Sequence, residues 1–148
     1  TIISLLDVVT CIIKKSNMKW KINSVYKKSF TITKKMVEDY ANVSQDKNPI
    51  HLDNEYAKNT IFKKRIVHGM LLAGLISSLI GNEFPGNGSI YLNQNLSFKK
   101  PVYLNEAVEI VIKIIHINDK GWLELETNCF TNNNLVIEGS ALIIPPRN

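Results

Sequence analysis

The sequence predicts an α+β fold in which a curved antiparallel sheet wraps around a single buried helix. The first indication is the segment from His68 to Phe84, which is apolar on nearly every side, as is typical of a helix buried on most of its surface. The second is a change of period after it, where four long stretches rich in β-branched residues show partial alternation. Turn signals between neighbouring stretches favour an antiparallel meander with one face in water. One apolar helix followed by such strands gives the α+β class.

Shorter elements precede the buried helix. Alternation of apolar residues predicts a strand at residues 28–33. Thr33 is a suitable N-cap for a helix at residues 34–43, because its hydroxyl can accept a hydrogen bond from a free N–H group of the first turn. Asp53 can cap a further short helix at residues 54–60 in the same way.

The later strands follow a glycine-rich segment at residues 85–89, which ends the buried helix. They are predicted at residues 89–98, 107–117, 121–130 and 134–144. Alternation is clearest in the third strand, where the positions from Leu123 to Cys129 place leucine, threonine and cysteine on one face and glutamate and asparagine on the other. This pattern predicts which face of the sheet meets the core.

Composition and charge set limits on location and partners. The chain of 148 residues suffices for one domain, and 45% apolar and 21% charged residues are ordinary for a globular protein. Cys11 and Cys129 are too few for a disulfide framework and lack a metal-binding spacing, so we expect a cytoplasmic location. The net charge of +5 comes from scattered lysine pairs rather than one basic stripe, so nucleic-acid binding is not expected. A phosphate-bearing ligand remains compatible with this charge.

The N-terminal segment is considered separately from the domain. Residues 1–13 carry a helical apolar stripe, but they are shorter than the roughly 20 residues that a membrane-spanning helix needs. No basic residues precede them, so a signal peptide is not expected, and we expect no membrane partner. We predict that residues 1–17 form a helical extension and that residues 18–148 form the domain.

Two proton-transfer groups lie close together in the segment "SQDKNPIHLDNEYA" at residues 44–57. Asp46 and His51 are five residues apart, which does not match the spacing of three or four that puts side chains on one face of a helix. Asn48 precedes Pro49, and a residue before proline is disfavoured in helical angles. The segment therefore predicts a non-helical elbow that turns the carboxylate and the imidazole to one place.

Three segments are informative together: "YANVSQDKNPIHLDNEYA" at residues 40–57, "RIVHGMLLAGLIS" at residues 65–77 and "LSFKKPVYLNEAVEI" at residues 96–110. They resemble the MaoC-like dehydratase and R-specific enoyl-CoA hydratase family. The first is similar to its hydratase signature, the second to its entry into the central helix, and the third to its following strand and turn. The resemblance runs from about residue 18 to the C-terminus and implies a single hot-dog domain.

Two positions depart from the family pattern. Gln45 stands where the signature has glycine, and Asn105-Glu106 replaces Gly-Asp at the later turn. Asparagine tolerates left-handed backbone angles better than most residues, so we expect that turn to be kept. If the signature glycine serves a positive φ, Gln45 is the less comfortable change and would displace Asp46 slightly.

The resemblance implies reversible hydration of trans-2-enoyl-CoA to (R)-3-hydroxyacyl-CoA. Asp46 and His51 match the family's catalytic pair, which holds and activates one water, and either of them can be the base. Asn48 matches a residue that orients the site, with an ordinary turn asparagine as the alternative. Gly69 would offer its N–H, at the start of the buried helix, to the thioester oxygen. The alternative for Gly69 is a glycine that is merely close-packed.

Further ligand contacts are open to two interpretations. Lys63, Lys64 and Arg65 lie just before the helix and could contact CoA phosphates, or they could form a solvated charge run. His68 could suggest a metal with Asp46 and His51, but a packed or capping histidine is commoner, and we expect no metal. No cofactor is expected, because CoA is part of the substrate, and the resemblance leaves the acyl carrier, CoA or acyl carrier protein, open.

Alternative functions remain on the same fold. A hot-dog thioesterase would also hold the thioester at the helix start, a non-catalytic acyl-CoA-binding module would bind without turnover, and a subunit active only with a partner chain would carry the same residues. Family resemblance also implies a homodimer or higher homo-oligomer with the acyl tunnel at or near the interface. Residues 1–17 would add to that interface or close the tunnel.

Overall fold

A computed structural model describes residues 19–147. In this range the strands are β1 (Val25–Thr31), β2 (Ile90–Phe98), β3 (Ala107–Ile117), β4 (Leu123–Thr131) and β5 (Asn134–Ile144). The helices are α1 (Lys34–Ser44), α2 (Pro49–Leu52), α3 (Asn54–Lys58) and α4 (Gly69–Asn82). The predicted extension at residues 1–17 lies outside the described residues, so the domain boundary stays a prediction.

The strands form one antiparallel sheet in the order β1-β3-β4-β5-β2. The meander β3-β4-β5 follows the chain, whereas β1 and β2 add to its two sides and become the edges. β1 is longer toward its N-terminus than the predicted strand at residues 28–33. Its pairing with β3 begins at Val25, opposite Lys113, so the strand starts three residues before the predicted one.

The core lies between the curved sheet and α4, as the α+β prediction requires. Its fully buried strand residues come from alternate positions, Val108, Ile110, Ile112 and Ile114 on β3 and Leu123, Leu125, Thr127 and Cys129 on β4. They pack with one face of α4, formed by Leu72, Ile76, Leu79 and Ile80. The fold class and the predicted orientation of β4 are confirmed.

Only one face of α4 is covered by the described chain, although its sequence is apolar nearly all round. Met70 is 56% exposed, and a side chain placed at Gly74 or Gly81 would meet no atom within 4 Å. The small residues therefore leave an open face on the helix, against which another chain can pack closely. No helix among residues 19–147 is long and apolar enough to cross a membrane.

The predicted caps set the positions of the short helices. The Thr33 hydroxyl accepts a hydrogen bond from Met36 N at 3.2 Å at the start of α1. The Asp53 carboxylate accepts one from Tyr56 N at 3.0 Å at the start of α3. Both caps are confirmed, and together they fix the two ends of the chain segment that contains Asp46 and His51.

Candidate active site

The elbow between α1 and α2 is shorter than the predicted one. Only residues 45–48 are non-helical, because Pro49 begins the short helix α2 and His51 lies within it. A proline at the first helical position has the right φ and needs no hydrogen-bond partner, so it starts a turn instead of preventing one. The prediction that the elbow extends through His51 is therefore wrong, but the elbow still turns the chain after Asp46.

Gln45 adopts the left-handed conformation that the departure from the signature raised as a concern. Its φ is 64° and its ψ is 10°, and it ends α1 where glycine is the usual residue. The side-chain amide Nε2 donates to Asn42 O at 2.6 Å, which partly compensates the strained backbone. At the later turn Asn105 likewise has a φ of 66°, so that turn is kept, as predicted.

Replacement of Gln45 by glycine should stabilise the protein. Relief of the left-handed strain is expected to outweigh the loss of an exposed hydrogen bond and to raise the free energy of unfolding by about 0.5–1 kcal/mol. Urea denaturation of Gln45→Gly against the wild type measures this change. Gln45→Ala is the matched control, because it loses the same side chain and keeps the strain. A Gln45→Gly protein no more stable than Gln45→Ala would contradict the prediction.

Asp46 is held by hydrogen bonds inside the elbow. Its N–H donates to Ser44 Oγ at 3.1 Å, and its Oδ1 accepts from Asn48 N at 3.2 Å. The Asn48 side chain caps α2 by accepting from Ile50 N at 3.2 Å. Asn48 therefore shapes the elbow through its backbone and its cap, and its predicted part in the reaction stays a prediction.

His51 is placed as a neutral imidazole. Its Nδ1 lies 2.8 Å from the carbonyl oxygen of Ile66, which can only accept, so Nδ1 carries the proton and Nε2 keeps a lone pair. Burial is the main cause that lowers the pKa of His51 below its ordinary value of 6.5, and the neighbouring His68 and Arg65 lower it further. The Ile66 carbonyl and Asp46 oppose this shift. The net direction favours a ring that can accept a proton at neutral pH.

His68 lies at the centre of the site, beside the two residues with which the sequence grouped it only as a possible metal ligand. Its ring is stacked on that of His51 with centroids 3.8 Å apart and planes 28° apart, and Tyr40 contacts it edge-on. His68 Nε2 lies 3.0 Å from Asp46 O, so this buried side chain contacts both halves of the proton-transfer pair. It was predicted to be a packed or capping residue, and its side chain does not cap α4. Its position next to Gly69 was the available signal.

Three possible metal ligands converge here, because donor atoms of Asp46, His51 and His68 all lie within 4.8 Å of one another. Each imidazole, however, uses one nitrogen on a backbone carbonyl, and the two rings are stacked. The nitrogens that remain free of backbone contacts are His51 Nε2 and His68 Nδ1, and the expectation that no metal binds here stays a prediction.

Gly69 is the first residue of α4, and two features explain it. His68, the N-cap residue, makes no side-chain hydrogen bond to the helix, so N–H groups of the first turn are left for another partner. A Cβ on Gly69 would also lie 2.4 Å from Cε1 of Phe98, so the Phe98 ring occupies the space beside it. Ligand access and close packing, the two predicted alternatives, therefore both find support at this position.

A cavity of about 390 Å³ joins these groups. Its lining combines Asp46, His51, His68 and Gly69 with apolar residues of the loops, α4 and the sheet, which include Ile66, Val67, Leu72, Phe98, Val102 and Ile137. Lys99 and Lys100 also line it, although no local signal distinguishes this lysine pair from the others in the chain. The arrangement offers a polar end for proton transfer beside an apolar wall.

The predicted basic run Lys63-Lys64-Arg65 is divided by the structure. All three residues line a separate pocket of about 330 Å³ together with Lys58 and Tyr103, but only Lys63 and Lys64 are exposed. Arg65 is only 7% exposed, and its Nε donates to His51 O at 2.6 Å. The lysines therefore remain accessible to an anionic ligand, whereas Arg65 is held against the backbone of α2.

Fold and site together define a hot-dog domain with an Asp-His-His cluster at the start of its central helix. The family description "MaoC like domain" matches residues 19–138, and the chain belongs to this family. It is 44% identical over 112 residues to an (R)-specific enoyl-CoA hydratase of Aeromonas caviae, covering 74% of this chain and 84% of that protein. The predicted family resemblance is thus confirmed.

Two further comparisons extend this likeness. A mitochondrial 3-hydroxyacyl-[acyl-carrier-protein] dehydratase of Arabidopsis thaliana is 34% identical over 131 residues, covering 85% of this chain and 78% of that protein. The solved structure of the (R)-hydratase from A. caviae involved in PHA biosynthesis has a TM-score of 0.85 at 37% identity, covering 87% of this chain and 99% of that one.

Proposed function

We propose that the protein hydrates trans-2-enoyl-CoA to (R)-3-hydroxyacyl-CoA and catalyses the reverse dehydration. The observation that carries the proposal is the Asp46 carboxylate and the neutral His51 imidazole, with donor atoms within 4.8 Å, at a cavity that reaches the start of α4. The names of the relatives support the same chemistry, and they confirm the predicted enzyme class, a hydro-lyase.

One water between the two side chains would be the nucleophile. His51 Nε2 has the free lone pair and is the stronger base, so it takes the proton while the water oxygen bonds to C3. The Asp46 carboxylate accepts the water's other hydrogen in a hydrogen bond and stabilises the imidazolium that forms. The imidazolium then gives its proton to C2, which completes the addition of water and restores the neutral ring. No metal and no cofactor take part in this scheme.

Negative charge develops on the thioester oxygen during this addition. The N–H of Gly69 at the N-terminus of α4 would donate a hydrogen bond to that oxygen, because the first N–H groups of a helix lack helical partners and lie at the positive end of its dipole. A donor aimed at a developing oxyanion is typically worth about 10²–10³ in kcat. The phosphates of CoA would lie near Lys63 and Lys64, with Lys99 and Lys100 at the rim of the cavity.

A homodimer is part of the proposal. The edge strand β2 exposes large apolar side chains, Ile90 at 55%, Leu92 at 43% and Phe98 at 53%. An unpaired edge of this kind is usually covered by another chain, and a second copy supplies a matching edge. Phe98 also lines the cavity, so this interface would lie beside the site. We also propose a cytoplasmic location, with which the free buried thiol of Cys129 is compatible.

Turnover of crotonyl-CoA tests the function directly. Loss of the enoyl-thioester absorbance, with formation of the R alcohol and no release of free thiol, is the expected result. Release of free CoA would indicate the thioesterase alternative, and binding without turnover would indicate an acyl-CoA-binding module or a missing partner chain. The same acyl group on acyl carrier protein is the second substrate, since the A. thaliana relative bears that name. Faster turnover on that carrier would change the proposed substrate.

The pH dependence of kcat/KM should report His51. The neutral ring is the active form, and burial lowers its pKa, so activity should persist as the pH falls and decline only with a midpoint below 6.5. Measurement of kcat/KM between about pH 5 and pH 8 covers this range. An acid limb with its midpoint at or above 6.5 would contradict the assignment of His51 as a buried neutral base.

A further inference from the structure

Arg65 is a buried charge in an enzyme whose other cations are mostly on the surface. Its side chain is 7% exposed, and arginine stays protonated at any physiological pH. Burial of a charge is costly unless good hydrogen bonds and an opposite charge compensate it. Here the compensation is partial, because Nη2 makes no hydrogen bond among the described residues and lies 3.9 Å from Glu38 Oε1. A contribution to stability therefore does not explain why a charged arginine is buried at this position.

The one strong contact of Arg65 is to the backbone of His51. Nε donates to His51 O at 2.6 Å, a short hydrogen bond in which the donor carries a charge. Two neighbouring bonds continue the contact, from Ile66 N to Ile50 O at 3.3 Å and from His51 Nδ1 to Ile66 O at 2.8 Å. The carbonyl and the ring of His51 are therefore both hydrogen-bonded to the neighbouring residues Arg65 and Ile66.

Arg65 also lies where three parts of the site meet. Glu38, its carboxylate neighbour, belongs to α1, the helix that ends just before Asp46. His51 belongs to α2, and the chain after Arg65 leads to His68 and the start of α4. A shift of the guanidinium would thus change the distances between the carboxylate, the imidazole and the helix terminus.

We propose that Arg65 is a positioning residue of the hydration reaction, which holds the His51 imidazole against the water that it shares with Asp46. This role rests on the proposed function. Arg65 does not contact the reacting atoms; it acts through the His51 carbonyl. Its removal should therefore lower kcat and leave KM nearly unchanged, because the loss appears when the proton is transferred and not when the thioester binds.

The test compares Arg65→Met, Arg65→Gln and Arg65→Lys on crotonyl-CoA. We expect kcat to fall by about 10²-fold in Arg65→Met, with KM within about twofold of the wild type. Arg65→Lys retains a charged donor and should recover most of the loss, whereas the neutral Arg65→Gln should recover little. Lys34→Met is the matched control, because Lys34 Nζ lies 3.6 Å from the same Glu38 Oε1 and the lysine is exposed on α1. It should keep the kcat of the wild type.

Melting temperatures of all variants separate a folding defect from a kinetic one, and the assays are run below the lowest melting transition. If Arg65→Met does not fold, the difference between Arg65→Lys and Arg65→Gln decides. Wild-type kcat in Arg65→Gln, no advantage of lysine over glutamine, or a rise of KM that accounts for the loss would each overturn the positioning role. Absence of turnover by the wild type would instead overturn the proposed function, and the positioning role with it.

Discussion

Asp46→Asn and His51→Asn are each expected to lower kcat for crotonyl-CoA hydration by about 10³-fold, within the range typical of lost general acid–base catalysis. Asp46→Asn keeps a side-chain oxygen that can accept from Asn48 N, so the elbow should survive while the charge is removed. His51→Asn keeps an amide that can donate to Ile66 O, as Nδ1 does, but it lacks the Nε2 lone pair. Both changes therefore target the chemistry and spare the fold.

Matched controls exist for both variants. Asp39→Asn removes a carboxylate that pairs with Lys35 on the exposed side of α1, and His116→Ala removes an exposed histidine from β3. Both should leave kcat within about twofold of the wild type, as is usual for surface positions far from the reacting atoms. Saturation kinetics and the melting temperature of each protein are measured together. Hydration at more than a tenth of the wild-type rate in a folded Asp46→Asn or His51→Asn protein would remove that residue from the mechanism.

The double variant tests whether the two side chains act on the same water. If they do, loss of either one disables the same step, and Asp46→Asn/His51→Asn should be hardly slower than the worse single variant. Independent contributions would instead multiply to about 10⁶-fold. The cycle thus distinguishes a shared water from two separate roles, such as one catalytic residue and one that orients the substrate.

Much of this site was predictable because its signals are local in sequence. The caps at Thr33 and Asp53 follow from the chemistry of one residue and its neighbours, whereas the left-handed positions at Gln45 and Asn105 were indicated by the glycines that the family pattern has there. The closeness of Asp46 and His51 was also predictable, since the turn before Pro49 brings together two groups that lie five residues apart in sequence. The alternation of apolar residues and the turn residues likewise sufficed to predict the strands of the sheet and the face that meets the core.

The contacts that the sequence missed are those made between distant segments. His68 stacks on His51 from 17 residues away, and Arg65 reaches the His51 carbonyl from 14 residues away. Phe98 meets Gly69 only because β2 passes the start of α4. Nothing in the local pattern distinguishes a buried arginine from its exposed neighbours Lys63 and Lys64, so the basic run looked uniform. Arg65 differs from Lys63 and Lys64 in its tertiary packing, which the periodicity of the sequence does not report.

Gly69→Ala is expected to lower kcat/KM for crotonyl-CoA by about 10²-fold, the scale associated with an impaired oxyanion donor. The new methyl group would stand beside the N–H that is proposed to receive the thioester oxygen. It would also lie 2.4 Å from the Phe98 ring. That ring is 53% exposed in the single chain. In the proposed homodimer it would have to shift at the interface, so we expect a lower melting temperature beside the lower kcat/KM.

A double-mutant cycle with Phe98→Ala separates the two explanations of Gly69. If the glycine serves only to let Phe98 pack, Gly69→Ala should cost nothing once the ring is gone, and the coupling between the two changes should equal the whole loss. If the glycine keeps the helix terminus open to the thioester, Gly69→Ala should still lower kcat/KM by about 10²-fold in the Phe98→Ala background. We expect the second result, because no side-chain cap occupies the N–H groups at the start of α4, which leaves them for the thioester oxygen. If Gly69→Ala causes no loss of kcat/KM in the Phe98→Ala background, Gly69 is not the oxyanion donor and its role is purely structural.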